Sequence, residues 1–420
     1  MRTIREVEES ELDELLRITI EAFPGMKVSG PEERTRMLER LARVMKEPIV
    51  HFFGVYEAGR LIGVMRFYDF TMRLHETDAL VGGVGGVAVD LRHKKERVAA
   101  DMIRFFLEYY RDKGAALTAL YPFRPDFYHR MGFGFGVKLN RYSFRPDALP
   151  ARPKARVEFL SADDKAAVGD CYERFRTRTN GLLQLPPHVL DSLFTDPAMR
   201  LVGVRDGDRV RGYLLFRFDP AAGDNWLAND LYVRTMVYDD AATLSALVGF
   251  LRTQADQVQR VIYETQDDTF HFLLPDPRDG TGNLLAGLWH ETNTQGAGIM
   301  YRVIDTPRLF EVLSDHRFGG HDFGGVTTTL GITLSDSFLP QNAGRYVLRI
   351  AEGQAVLVEG VPAEVEIGLD VPEFSSLVVG AIDFARLYGY GLATIDNPAA
   401  VPRVDAIFRA AQRPWCMTHF

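Results

Sequence analysis

Residues 81–89 read Val-Gly-Gly-Val-Gly-Gly-Val-Ala-Val, and Asp90-Leu-Arg-His-Lys-Lys-Glu-Arg97 follows directly. The β-branched run ending in Val87-Ala88-Val89 has strand character. Residues 98–113 carry the apolar spacing of a helix. Between them lie Arg92, His93, Lys94, Lys95 and Arg97. A strand that turns through cations into a helix N-terminus can hold a phosphate, because first-turn N–H groups and the helix dipole both attract an anion. Glycine inside a strand marks a bulge or the close approach of a ligand. A ligand with an amide-bearing arm and a pyrophosphate suits both halves, and acetyl-CoA is such a ligand. Strand, basic loop and helix also recur in many α/β units with solvated cations, so the residues alone leave both readings open.

The rest of the chain must position this stretch. At 420 residues it is too long for one core, and two or three domains are expected. A net charge of −8 argues against a nucleic-acid binder and makes the basic loop a local feature suited to a small anion. The two cysteines, Cys171 and Cys416, offer neither a disulfide framework nor zinc-ligand spacing, and no metal is expected. No apolar run is long enough to span a membrane and no signal region opens the chain, so a cytoplasmic setting is expected.

Residues 2–7 predict a strand. Ser10-Glu-Leu-Asp13 has the form of a capping box and opens a helix with Leu12, Leu15, Leu16, Thr19 and Phe23 on one face, stopped by Pro24-Gly25. A charged helix over 32–46 precedes a hairpin of residues 51–56 and 61–67. Beyond the central stretch come a strand at 116–121, a short helix and glycine turn within 122–136, and a strand at 140–144 that closes the unit. Pro146, Pro150 and Pro153 mark a linker. Asp69 and Glu21 could supply negative charge to a cationic amine.

An internal repeat then shows. Phe-Gly-Val-Tyr-Glu-Ala-Gly-Arg-Leu-Ile-Gly at 53–63 aligns without a gap on Val-Gly-Val-Arg-Asp-Gly-Asp-Arg-Val-Arg-Gly at 202–212. Residues 231–237, 241–258 and 261–264 take the places of the central strand, its helix and the next strand. Residues 1–150 and 151–300 therefore read as one fold used twice. The second copy has Tyr-Asp-Asp-Ala-Ala at 238–242 where the first has its basic loop, and acidic residues there repel a pyrophosphate. It reads as structural, its ligand site lost. Residues 301–420 differ: a strand and helix at 301–313, alternating segments at 326–334, 344–350, 354–358 and 361–367, and helices at 375–384 and 401–411. They predict a small antiparallel sheet with helices on it, able to form an apolar trough. The tail Arg413-Pro-Trp-Cys-Met-Thr-His-Phe420 is aromatic enough to be docked rather than frayed.

In the order and spacing of three motifs the chain resembles the Eis (enhanced intracellular survival) family of acetyltransferases. They are Val87-Ala-Val89 with its basic loop, Phe127-Tyr-His-Arg-Met-Gly-Phe-Gly134 and the aromatic terminus. The resemblance covers the whole chain. It implies an α+β (α/β) protein with two tandem GNAT folds, the second degenerate, over 1–150 and 151–300. A sterol-carrier-protein-like domain follows over 301–420, its tail entering the active site. It implies acetyl-CoA as acetyl donor, an amine acceptor of aminoglycoside, polyamine or lysine type, and a homo-oligomer, hexameric by family. Carried over residue by residue, Val87, Ala88 and Val89 would meet the pantetheine arm. Lys95, Glu96, Arg97, Val98, Ala99 and Ala100 would surround the pyrophosphate, and Phe123 and Arg124 would lie beside the CoA arm. Tyr128 would protonate the leaving thiolate and the carboxylate of Phe420 would be the general base. On the residues alone, Tyr128 can equally be a packed aromatic and Phe420 an apolar plug.

The chain departs from the family at Glu96-Arg97-Val98, where such loops usually carry glycine to wrap phosphate closely. Two readings follow. One is an acetyl-CoA-dependent N-acetyltransferase working by direct transfer in a ternary complex. The other is a catalytically decayed binding or carrier protein holding an apolar ligand in its C-terminal domain. The sequence does not name the amine.

Overall fold

Long strands with alternating buried faces dominate the computed structural model, which describes residues 2–152, 156–221, 225–315 and 320–420. Pro153 of the expected linker lies outside the described residues. In chain order the first elements are β1 (Arg2–Glu6), α1 (Leu12–Ala22), α2 (Pro31–Val44), β2 (Val50–Glu57), β3 (Arg60–Leu74), β4 (Thr77–Val89), α3 (Val98–Asp112), β5 (Leu117–Leu120), α4 (Pro125–His129) and β6 (Gly134–Phe135). Next come β7 (Leu139–Phe144), β8 (Glu158–Phe159), α5 (Lys165–Arg176), α6 (Pro187–Thr195), β9 (Arg200–Asp206), β10 (Arg209–Pro220), β11 (Asn229–Tyr238), α7 (Ala241–Arg252), β12 (Val261–Thr265), β13 (Leu284–Leu285), β14 (Trp289–His290) and β15 (Asn293–Gly296). The last are β16 (Met300–Val303), α8 (Thr306–Leu313), β17 (Thr328–Ser335), β18 (Gly344–Ala351), β19 (Gln354–Leu357), β20 (Val365–Asp370), α9 (Val371–Val378), α10 (Phe384–Gly389), β21 (Ala393–Ile395) and α11 (Val401–Ile407).

By contacts the chain forms two units. One holds Met1–Gly136, Ile299–Pro414 and His419–Phe420, and the other Val137–Gly298 and Trp415–Thr418. The first unit contains a seven-stranded sheet in the order β1-β2-β3-β4-β5-β16-β6, and the second one in the order β8-β9-β10-β11-β12-β7-β15. Position by position the two sheets match, as the repeat implies. The sixth place is exchanged. The strand expected at 140–144 forms, but β7 pairs with β12 and β15 in the second sheet rather than closing the first. The first sheet instead takes β16, antiparallel to β5 and β6. A short strand carries no local signal of its partner, so pairing is set by what completes each sheet.

Within the first unit, α3 packs on β3 and β4 through an aromatic cluster. Phe67 is surrounded by Phe53, Phe106, Tyr109 and Tyr110 at ring-centroid distances of 4.7–5.8 Å. The capping box expected at Ser10 and Asp13 is displaced: the Glu8 N–H donates to Glu11 at 2.9 Å, and Asp13 pairs with Arg34. β13 and β14 pair as a two-stranded hairpin in the second unit, and in the first unit a further sheet is ordered β19-β18-β17-β20-β21. It is mixed rather than antiparallel, because β20 runs parallel to β17. The helix expected at 375–384 is divided between α9 and α10, and the one expected at 401–411 forms as the shorter α11. α9, buried along nearly its whole length, lies against β6, β16, β17 and β20. A fully buried ion pair ties this part of the unit together, Arg302 of β16 with Asp336 at 2.9 Å, and Asn342 and the Leu339 N–H complete the Asp336 carboxylate.

Candidate active site

The central strand opens where its glycines cluster. β4 pairs with β3 along its length, but Arg66 faces Gly85 while Val64 faces Ala88, so Gly86 and Val87 together oppose the single Met65 in a bulge. Gly86 has φ +60°, a conformation that favours glycine. On its other side β4 pairs in parallel with β5 only from Val81 to Val84. From Gly85 to Val89 that edge is unpaired by β5, so main-chain groups of Val87, Ala88 and Val89 are available to an extended amide-bearing ligand.

The chain terminus lies at this opening. A Cβ on Gly85 would fall 2.9 Å from the Phe420 carboxyl carbon, and one on Gly83 would fall 3.2 Å from its ring. Only glycine lets the terminal main chain come so close. The Phe420 ring sits in a cage of Tyr68, Phe70 and Tyr121, at 5.5, 4.8 and 5.3 Å, and His419 lies beside Tyr121. Sequence reasoning foresaw the docked tail but missed this cage, whose members lie on one strand, β3, and in the loop after β5, with no motif of their own.

Directly after β4 the basic loop turns through left-handed backbone without glycine. Lys95 and Arg97 adopt φ values of +68° and +63°. Arg97 is the N-cap of α3, whose first hydrogen bonds run from Ala100 and Asp101 to the Arg97 carbonyl. The N–H groups of Val98 and Ala99 precede them and point out of the helix start. The basic residues divide in two. Arg92 is held by Asp90 at 2.7 Å, and His93 pairs with Glu96 rather than standing solvated. Arg2 binds Glu96, Asp101 and Glu57, so the glutamate inside the loop is neutralised. Glu57, His93 and Glu96 are close enough together for metal ligands, but Arg2 already serves as their cation. Lys94, Lys95 and Arg97 remain exposed.

Tyr128 sits on α4, buried against Phe127 and Phe133. Burial pushes its hydroxyl up to about 12, so it stays protonated through the neutral range. Phe123 is exposed, and Arg124 is engaged with Asp126 at 2.7 Å. His129 turns to Glu373 and Phe135. The two carboxylates considered for a cationic amine are committed elsewhere. Asp69 bonds His51, Lys113 and Tyr110 on the α3 side of the sheet, opposite Tyr68 and Phe70, and Glu21 pairs with Arg17.

The second unit keeps the bulge, between Leu215/Thr235 and Phe216/Val233, but closes the rest. The acidic residues that stand in place of the basic loop are engaged within the unit. Asp239 is neutralised by Arg174, Arg209 and Arg211, and Asp240 caps α7 by accepting from the Thr243 N–H. Trp415 and Met417 of the tail pack onto a core with Tyr172, Phe175 and Tyr213, anchored by the Trp415 N–H to the Asn180 carbonyl at 2.7 Å.

Family models described as acetyltransferase (GNAT) domains match residues 3–136 and 187–303, and a sterol carrier protein domain matches 311–417. An uncharacterized N-acetyltransferase from Streptomyces griseus is 24% identical over 86% of this chain and 88% of its own. One from Streptomyces coelicolor is 23% identical over 94% of each. Among solved structures, a GCN5-related N-acetyltransferase from Anabaena variabilis superposes with TM-score 0.81 at 17% identity, and Eis1 from Mycobacterium abscessus with 0.77 at 20%, each over the full length of both chains. These structural likenesses speak to the fold. No described helix is long and apolar enough to cross a membrane. With two acetyltransferase domains spanning most of its length and a sterol carrier domain behind them, in the order the Eis resemblance implies, the chain belongs to the GNAT family of N-acetyltransferases.

Proposed function

We propose that this protein transfers an acetyl group from acetyl-CoA directly to a primary amine in a ternary complex in the first unit. The observation that carries the reading is the Phe420 carboxyl group beside Gly85, where β4 parts from β5. In this reading Lys95, Glu96, Arg97, Val98, Ala99 and Ala100 surround the pyrophosphate, with Lys94 adding charge. Val87, Ala88 and Val89 pair with the pantetheine arm, and Phe123 and Arg124 flank it. N–H groups freed by the bulge donate to the thioester oxygen as it gains charge. The amine nitrogen attacks the carbonyl carbon, the C–N bond forms and the C–S bond breaks. The thiolate takes the Tyr128 proton and the amine proton passes to the Phe420 carboxylate. A chain-terminal carboxylate has a reference pKa of about 3.3–3.7, so it is too weak a base to deprotonate an ammonium; it orients the neutral amine and takes an N–H proton as the C–N bond forms and that proton becomes acidic.

The glycine-poor loop gave the carrier reading its ground. The positive φ angles at Lys95 and Arg97 weaken that ground, because the loop turns through left-handed backbone with other residues. A homo-oligomer belongs to the same proposal. Leu284, Leu285, Leu288 and Trp289, all exposed around the β13–β14 hairpin, offer an apolar surface for it. Sedimentation of the intact chain against a Trp289→Glu variant tests that part.

The transferase reading is tested by thiol release from acetyl-CoA with polyamines, aminoglycosides and lysine peptides, on the intact chain and on one lacking Thr418-His419-Phe420. Activity lost on truncation with acetyl-CoA binding retained is the expected result. Unchanged activity would remove Phe420 from the site. Absence of turnover in the intact chain despite CoA binding would sink the reading.

A further inference from the structure

Arg2, Arg66, Arg73, Arg211 and Arg302 each bury their Nε, and that of Arg66 meets no hydrogen-bond acceptor among the described residues. Four of them are ion-paired, Arg2 with Glu96, Arg73 with Asp78, Arg211 with Asp240 and Arg302 with Asp336. Arg66 pairs with no carboxylate among the described residues, that of Phe420 included. A half-buried cation without a counter-charge is costly, and such a group calls for an explanation.

Its placement supplies one. Strand alternation puts Arg66, Tyr68 and Phe70 on one face of β3, the face on which the Phe420 ring is caged. The register sets Arg66 directly opposite Gly85. Cross-strand partners hold their Cβ positions about 5 Å apart on one face, so Arg66 rises beside the patch where the Phe420 carboxyl group lies. Its guanidinium carbon is 5.1 Å from the Tyr68 ring centre and 5.8 Å from that of Phe52. Rings that receive the flat face of a guanidinium leave its in-plane N–H donors for a planar oxyanion. The electrostatics agree. Burial raises the Tyr68 hydroxyl, and the groups that oppose the rise are Arg66 and, from α2, Arg40. Two cations and no carboxylate act on that hydroxyl. Asp69 and Glu21 are spent elsewhere.

We propose that Arg66 selects the acceptor by holding the carboxylate of a small zwitterionic amine, whose amino group then faces the Phe420 carboxyl group and the acetyl thioester. The inference rests on the transferase reading. It predicts against polycationic acceptors, which Arg66 and Arg40 repel.

The test compares three acceptors of matched length in the thiol-release assay: γ-aminobutyrate, n-butylamine and putrescine. The full chain is set beside Arg66→Met and Arg66→Lys. In the unaltered chain γ-aminobutyrate should exceed n-butylamine in kcat/KM by about 10- to 100-fold, the range of a charge-assisted pair. Arg66→Met should erase most of that advantage through the acceptor KM, with the acetyl-CoA KM unmoved, and Arg66→Lys should restore part of it. Putrescine as the best substrate, or a γ-aminobutyrate advantage that survives in Arg66→Met, would overturn the inference while the transferase reading stands. Turnover of aminoglycosides or peptides with none of the three would do the same. No transfer to any amine, with acetyl-CoA bound, would overturn both.

Discussion

Lys95 and Arg97 hold backbone angles that L-residues avoid, at a cost of about 1–2 kcal/mol each. Replacing Arg97 with glycine should therefore raise stability by about 1 kcal/mol in urea unfolding while weakening acetyl-CoA, because a cation beside the helix start is lost. A destabilised variant would show that the side chain holds the fold rather than the ligand. Gly85 makes the converse prediction. Gly85→Ala puts a methyl group 2.9 Å from the Phe420 carboxyl carbon, so it should displace the terminus and depress turnover with little change in the acetyl-CoA-induced thermal shift. Tyr128→Phe should slow thiol release by about 10²- to 10⁴-fold, the usual worth of a positioned acid. Since burial holds Tyr128 at about 12, no loss of rate on its account is expected below pH 10. The glycines, the basic run and the aromatic tail were legible in the sequence, because each is local and chemically conspicuous. Arg66 was not. In a strand that reads as an alternating surface an arginine looks solvated, and only the register opposite Gly85 gives it meaning.

At the level of elements, the repeat announced both sheets through the hairpin of β2 and β3 and its counterpart of β9 and β10. What local pattern does not carry is partner choice. Asn-Arg-Tyr-Ser-Phe at 140–144 reads as a strand wherever it is placed, and nothing in it says that β7 completes the second sheet while β16 completes the first. The same holds for the lock on β16. Arg302 and Asp336 are each wholly buried, and the Arg302 guanidinium lies against Gly132, where a Cβ would come within 2.6 Å of its central carbon. Removing one partner strands a charge in the interior, so Asp336→Ala should cost about 3–5 kcal/mol by chemical denaturation. Because Gly132 follows directly on α4 and Met131, the variant should also loosen the seat of Tyr128. A loss below about 1 kcal/mol would mean that water reaches the pair.

Across the first unit as a whole, acid is the predicted weakness. His75, at the turn between β3 and β4, stacks on His321 at 4.3 Å, and the two donate to the carbonyls of Val378 and Ile407. Burial, reinforced by the neighbouring imidazole, pushes His75 down to about 3, and burial lowers His321 as well. Above the unfolded value of about 6.5 both states are neutral and nothing is lost. Below it the unfolded chain binds protons that the folded chain refuses, so stability should fall as pH drops from about 6.5 toward 3, by up to about 1.4 kcal/mol per pH unit for each histidine. Urea midpoints taken between pH 7 and 4 on the intact chain and on His75→Gln would read this, and equal slopes would exclude His75 as the cause.

The carboxyl group beside Gly85 belongs to the main chain and to no side chain. It cannot be supplied by substitution, only by ending the polypeptide at that point. One residue fewer draws the charge back by about 3.5 Å. One residue more converts it into an amide, neutral and unable to accept a proton. In the proposed transfer, a purification tag placed after Phe420 should therefore abolish turnover, whereas the same tag placed before Met1 should leave it unchanged.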